Sequence, residues 1–204
     1  MAKVKLTKTE LKAQSDSLKR FRRFLPMLQL KKQQLQAEIA SVDTRIADME
    51  QRERAAKEAL SGWIALFAAD TAPLRDMLVF QGVRTGDSNI AGVTIPVYEG
   101  IDVKAAETDL FSTPAWYDDA LNAVKSIWEL KAERAVLEEQ RKLIMEELNT
   151  TSQRVNLFEK VKIPECRENI RLIKIAIGDE QTASVTRGKI AKGRGAKADK
   201  EEAA

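Results

Sequence analysis

Between Val4 and Phe67 the apolar residues return every seven positions, and nothing else in the chain narrows its fold so much. One row runs Val4, Leu11, Leu18, Leu25, Ile39, Ile46, Leu60 and Phe67, broken at Lys32 and Glu53. A second, three places later, runs Phe21, Leu28, Leu35, Val42, Met49, Ala56 and Trp63. Alternating steps of three and four keep an apolar stripe on one side of a helix, the pattern of a coiled coil. At about 1.5 Å per residue such a helix reaches about 95 Å, more than a compact domain uses. Its stripe needs a partner helix.

The second half of the chain supplies one. Ala120, Ile127, Leu148 and Val155 form one heptad row, and Ala123, Leu130, Leu137, Ile144 and Phe158 the other, with Arg134, Arg141 and Thr151 interrupting. Cys166, Ile170, Ile173 and Ile177 continue a helical face past Pro164, a break in the hydrogen-bond ladder, and Gly178 reads as a helix stop. Pro26 predicts a kink in the first helix, because the 25/28 spacing carries the heptad through it. Lys32 and Glu53 read as polar layers that set register.

Between the helices the heptad stops. Asp70-Thr71-Ala72-Pro73 is a breaker, and Val79–Val83 and Val93–Tyr98 read as two strands separated by the turn-forming Thr85–Asn89. Pro96 places its strand at an edge. Ser112 or Thr113 is a candidate cap for the following helix, with Pro114 in its first turn. The predicted fold is mainly α: a long antiparallel two-helix coiled coil with a small β-hairpin head inserted between the helices. Its parts are an N-terminal helix over 1–67, a head over 68–114, a C-terminal helix over 115–178, and a disordered basic Gly/Lys tail over 179–204. The register that best aligns the stripes sets Leu25 against Phe158, Leu28 against Val155, Leu35 against Leu148, Ile39 against Ile144 and Ile46 against Leu137. It puts Lys32 opposite Thr151 in one layer, and leaves Arg141 and Arg134 facing Val42 and Met49 with their heads in water.

Composition narrows the chemistry. The 204 residues include no histidine, which removes the commonest general base and metal ligand. One cysteine, Cys166, excludes an internal disulfide and reads as a core thiol. No phosphate loop, dinucleotide fingerprint or nucleophile arrangement is present, so no cofactor is expected; Gly82 and Gly86 belong to turn chemistry. No apolar run is long enough to span a membrane. Trp63, Trp116 and Trp128 read as packing anchors where the helices enter the head. Charge is unevenly placed: residues 1–32 carry ten Lys/Arg against two acids, and residues 68–114 carry three bases against seven acids. The basic run Lys19-Arg20-Phe21-Arg22-Arg23-Phe24 is a solvated or partner-facing end, since Phe21 already belongs to the seam.

Three stretches carry a family resemblance. They are Lys5–Leu11 leading to Leu30–Leu35, then Asn89–Pro96, and then Thr151-Ser152-Gln153-Arg154-Val155-Asn156-Leu157-Phe158-Glu159-Lys160-Val161-Lys162-Ile163-Pro164. In order and spacing, from about residue 3 to Gly178, they resemble the D subunit of the V/A-type ATPases and ATP synthases, departing from that family's pattern at Pro26 and in the Gly/Lys tail. The resemblance implies a non-catalytic, central-stalk rotor shaft in the cytoplasm, peripheral to the membrane. It implies rotation that couples ATP hydrolysis or synthesis to proton or sodium transport. The implied partners are the catalytic and regulatory nucleotide-binding subunits of the ring, the small F subunit of the stalk and a membrane-proximal funnel subunit, with no nucleic acid and no direct membrane insertion. Lys19, Arg20, Arg22 and Arg23 are then candidate contacts to the ring. A coiled-coil adaptor or chaperone-like scaffold, or a nucleic-acid-binding helical hairpin, would account for the helices or the basic end but not for the three ordered stretches.

Overall fold

The structure is a computed structural model and describes residues 4–62, 78–105 and 116–202. Helix α1 spans Lys8–Ser61, strands β1 and β2 span Leu78–Ile90 and Val93–Ala105, and helix α2 spans Tyr117–Asn156. A π-helical segment, Leu157–Lys162, joins α2 to α3, Ile163–Glu202. The expected class is observed: a mainly helical chain, with coiled-coil packing and a two-stranded antiparallel hairpin between the helices. By contacts it divides into two compact units, Lys31–Thr151 and Met1–Leu30 with Ser152–Ala204. Trp63, the Asp70–Pro73 breaker, the 67/68 and 114/115 boundaries and the candidate caps Ser112 and Thr113 lie outside the described residues.

The 31–151 unit is built on one apolar cluster. Leu35, Ile39, Val42 and Met49 of α1 meet Leu137 and Ile144 of α2, and Ile95 of β2 enters the same cluster, all of them buried. Ile90, Ala91 and Val93 pack on its margin. The hairpin inserted between the helices therefore packs on the helix pair through Ile95 and its neighbours. Gln140, 3% exposed, donates its side-chain amide to the Pro96 carbonyl and ties β2 to α2. This explains why α2's heptad looked weak. Leu137 and Ile144 belong to the cluster shared with α1, whereas Gln140 bonds β2 and Ala132 lines a groove with β1, so α2 buries a second face.

Both strands are longer than the sequence suggested, and the turn is elsewhere. Thr85–Asn89, predicted as the turn, pair as strand with Thr94–Tyr98, and the loop is the two residues Ala91 and Gly92. Their φ angles of 52° and 81° give the two positive-φ positions of a type I′ turn, whose twist suits a hairpin. Asn89 Oδ1 accepts the Gly92 N–H at 3.0 Å and closes the turn. The polar stretch stays extended because Ile95 anchors its partner strand in the core. Register shifts fall at Gln81 and Glu99, and Gly100 follows the second with φ 148°, where a Cβ would sit 2.9 Å from the Arg84 guanidinium.

Among the described residues, charged side chains link α1 and α2 at three levels. Lys31 Nζ meets Glu147 Oε1 at 2.6 Å, Arg141 pairs with Asp43, and Arg134 Nη1 meets Glu53 Oε2 at 3.0 Å. The rising numbers on one helix against falling numbers on the other make the pair antiparallel. The heads of Arg134 and Arg141 pair with acids of α1, and Arg141 stays 46% exposed to water as it does so. Lys32 is half-buried, and it is Lys31 that joins Glu147, which in turn lies 3.5 Å from the buried Thr151 hydroxyl. Glu53, 4% exposed, also bonds Lys57 at 2.6 Å. That hydrogen bond, opposed by burial and aided by the Arg134 charge, holds its carboxyl below the ordinary value.

In the other unit, Thr7 and Glu10 have the spacing of a capping box, and the Glu10 N–H donates to Thr7 Oγ1 at 3.3 Å at the start of α1. Helix α1 runs on through Pro26. On the second helix Val155, Ile163, Cys166 and Ile173 are buried and Phe158 rests on Phe21, ring centroids 5.0 Å apart. Pro164 does not end the helix. It stands in the first turn of α3, just after the π segment, where the Ile163 N–H bonds the Phe158 carbonyl. The inward positions step 144, 148, 151, 155, 158 and resume at 163, 166, 170, 173, 177, one place later than a continued heptad. A π turn holds one extra residue, so it absorbs this skip. Gly178, read as a helix stop, does not end the helix: α3 runs on to Glu202. A glycine costs about 1 kcal/mol in a helix interior, yet elongating an existing helix avoids the nucleation penalty. Thr182, Thr186 and Arg187 add side-chain bonds to carbonyls four residues back.

Two outcomes follow from the 31–151 unit. Ile95→Ala should lower stability by about 2–5 kcal/mol in urea unfolding, because it empties a site shared by three elements. Glu53→Gln should lower stability by about 1–3 kcal/mol at neutral pH. A carboxyl whose folded pKa is depressed contributes above its unfolded pKa and loses that contribution as pH falls through the folded value. The gap between wild type and Glu53→Gln should therefore close on acidification; a gap constant from neutral pH to well below pH 4.5 would contradict the assignment.

Candidate partner-binding surfaces

The sequence-predicted seam residues fall into two groups. Leu35, Ile39, Ile144 and Val155 are buried, and Ile46 and Leu148 pack against the apolar cluster. Leu25, Leu28 and Phe158 are half-buried. Phe158 meets Phe21, one helical turn from the Leu25 that the alignment of stripes sets opposite it.

Lys19, Arg20, Arg22 and Arg23 are all exposed on α1, with Arg20 Nη2 3.3 Å from Ser17 Oγ. Sequence reasoning found these cations and missed their apolar neighbours. Phe24, Met27 and Leu30 are exposed by 47%, 61% and 56%, at i, i+3 and i+6, off the seam and beside the basic run. A second set, Leu157, Val161, Leu172 and Ile175, is exposed along the π segment and α3. Large apolar side chains in water at helical spacing are the usual mark of a surface that meets other protein. The available signal was in the sequence: Phe24, Met27 and Leu30 are apolar where the heptad asks for polar residues.

In the 31–151 unit, Phe80 and Val83 of β1 face Trp128, Ala132 and Ala135 of α2 across an open groove of about 460 Å³, with Lys131 beside them. Phe80 and Trp128 meet edge-on with centroids 5.9 Å apart, an arrangement that fixes both rings. Trp128 thus anchors the hairpin to α2, as its position suggested. Nearby, burial together with the carboxylates of Glu129 and Glu133 pushes the Tyr98 hydroxyl above its ordinary pKa, so it stays neutral.

Cys166 is 5% exposed, and burial, reinforced by Glu165, raises its thiol pKa. Among the described residues no group of three or more Cys, Asp or Glu is placed to hold a metal ion, and no helix is long and apolar enough to cross a membrane. The chemistry these surfaces offer is recognition by apolar contact and positive charge.

Comparison with known proteins gives these surfaces a context. The family model for the D subunit of ATP synthase matches residues 10–193. A V-type ATP synthase D subunit from Borreliella burgdorferi is 45% identical over 194 residues, covering 94% of this chain and 95% of the relative. The corresponding proteins of Chlamydia pneumoniae and Chlamydia trachomatis serovar L2 are 33% and 32% identical over 93% and 94% of this chain, and over 91% and 95% of their own lengths.

The buried thiol can be checked directly. At pH 8 Cys166 should react with a disulfide reagent roughly tenfold or more slowly than a free cysteine, and reach the free rate in denaturant. Fast labelling of the native chain would place the thiol at the surface.

Proposed function

This chain belongs to the ATP synthase D-subunit family, and we propose that it is the non-catalytic central-stalk component of a V/A-type rotary ATPase. In this reading the helix pair is a rotor shaft. It couples ATP hydrolysis or synthesis in a ring of catalytic and regulatory nucleotide-binding subunits to proton or sodium transport through the membrane. The small F subunit of the stalk and a membrane-proximal funnel subunit complete its contacts, and the chain works in the cytoplasm, peripheral to the membrane.

The observation that carries the proposal is the family match over residues 10–193, joined by relatives aligned nearly end to end. The physical reading is compatible with it. A shaft passes torque only if its two helices turn as one body, and the ion pairs Lys31–Glu147, Asp43–Arg141 and Glu53–Arg134 oppose sliding of α1 on α2. A shaft must also present unlike faces to similar subunits in turn, biasing each toward a different conformation. The basic run with Phe24 on one side and the exposed apolar residues of α3 on another supply such unlike faces.

Capture of the tagged chain from native membranes in mild detergent tests the proposal. A nucleotide-binding ring, a small stalk protein and a membrane-proximal component should be recovered with it; recovery of the chain alone, or with nucleic acid, would sink the reading. Replacing Lys19, Arg20, Arg22 and Arg23 together by Gln should slow assembly of the ring around the chain or reduce ion transport per ATP. The loss should be greatest at low salt, where charge reaches beyond about 10 Å. Wild-type assembly and coupling there would take these cations out of the interface.

A further inference from the structure

In the unit that contains Phe21 and Phe158, both helices depart from regular α geometry around one contact. On α1, Pro26 has no N–H, so the Arg22 carbonyl one turn earlier lacks its α-helical donor. On the second helix, Leu157–Lys162 is π-helical, and Pro164 removes the donor that the Lys160 carbonyl would take. Phe158, inside the π segment, rests on Phe21, the neighbour of Arg22. Each irregularity alone is a tolerated local event. Together they weaken both backbones within about a turn of the same ring contact.

What covers this level is non-directional. Phe21, Leu25 and Phe158 are half-buried, and π-segment residues Leu157 and Val161 are exposed. Apolar contacts of this kind allow two helices to roll over each other, whereas directional cross-helix ion pairs such as Lys31–Glu147 and Glu53–Arg134 resist it. Local opening starts where buried contacts are few and backbone bonds are imperfect.

We propose that Arg22–Pro26 of α1 and Leu157–Pro164 of the second helix form a compliant level, where the helix pair loosens before the segments on either side of it. The extra residue in the second helix is the built-in cause, and Pro26 removes the support that a regular facing helix would give. The inference concerns the chain itself and stands whatever assembly it joins.

Hydrogen–deuterium exchange on the full chain tests it. Amides flanking Pro26 and those of Phe158–Ile163 should exchange roughly tenfold faster than amides of Lys12–Leu18 and Cys166–Ile173. Deleting the exposed Lys160 restores the heptad count and keeps Ile163, Cys166 and Ile173 on the inward face. Combined with Pro26→Ala, the deletion should abolish the excess exchange while Cys166 remains slow to label. Uniform protection in the wild type, or exchange that only rises steadily toward the chain ends, would overturn the proposal. So would excess exchange that survives in the combined variant. If the deletion does not fold, Pro26→Ala alone decides: the excess beside position 26 must fall, and an unchanged excess refutes the role of the proline.

Discussion

The apolar layer in which Leu35, Ile144 and Ile95 meet is the contact on which the 31–151 unit depends. A two-stranded sheet has no interior of its own and is marginal in water. A pair of helices with only a narrow seam buries little of either. Here the two shortages are solved together, because the hairpin covers a face of α2 that α1 leaves open, and the helices supply the floor that the hairpin lacks. The Gln140–Pro96 bond then satisfies a buried amide that an uncovered helix would have left to water. Without the hairpin the cluster would lose Ile95, and Gln140 would lose the Pro96 carbonyl.

Much of this was legible in the amino-acid order. The heptad of α1 announces its passage through Pro26 and its need for a partner. The same arithmetic failed wherever an element served two neighbours or none. On α2 the interruptions at Arg134 and Arg141 looked like weakness, yet each arginine reaches an acid on α1. In the hairpin, Thr85–Asn89 has the composition of a turn but is held extended by the strand it pairs with, while Ala91-Gly92 carries little turn signal beyond its glycine. Past Gly178, a sequence with almost no apolar content keeps helical form because it inherits a helix already begun. The surfaces were only half visible. The cations at 19–23 stood out by charge, but Phe24, Met27 and Leu30 gained meaning only when the structure left them in water. The skip from 158 to 163 was present in the sequence, and a strict count of heptad positions would have located the π segment.

The two kinds of non-apolar residue on the seam have different effects. Thr151 is buried and takes part in a short polar chain with Glu147 and Lys31, so it interrupts the apolar layer without leaving a charge in it. Glu53 brings a full charge into a nearly dry place and is held there by two cations. Breaking such a group's partnership costs far more than the pair contributes when intact, so its main effect is to make alternative alignments expensive. A slip of one heptad in one direction would set Glu53 beside Ile127. In the other, it would bring Lys31 against Arg154.

The three cross-helix ion pairs also differ in their contact with the solvent. Glu53 is 5% exposed in its side chain, Lys31 and Glu147 are near 30%, and Arg141 and Asp43 are both at 46%. Dissolved ions weaken an exposed pair and barely reach a buried one. The grip between α1 and α2 is therefore graded in ionic strength: the Asp43–Arg141 link fades first as salt rises, and the Glu53 link persists. In a dilute medium the helices are pinned at three levels, and in brine chiefly at one.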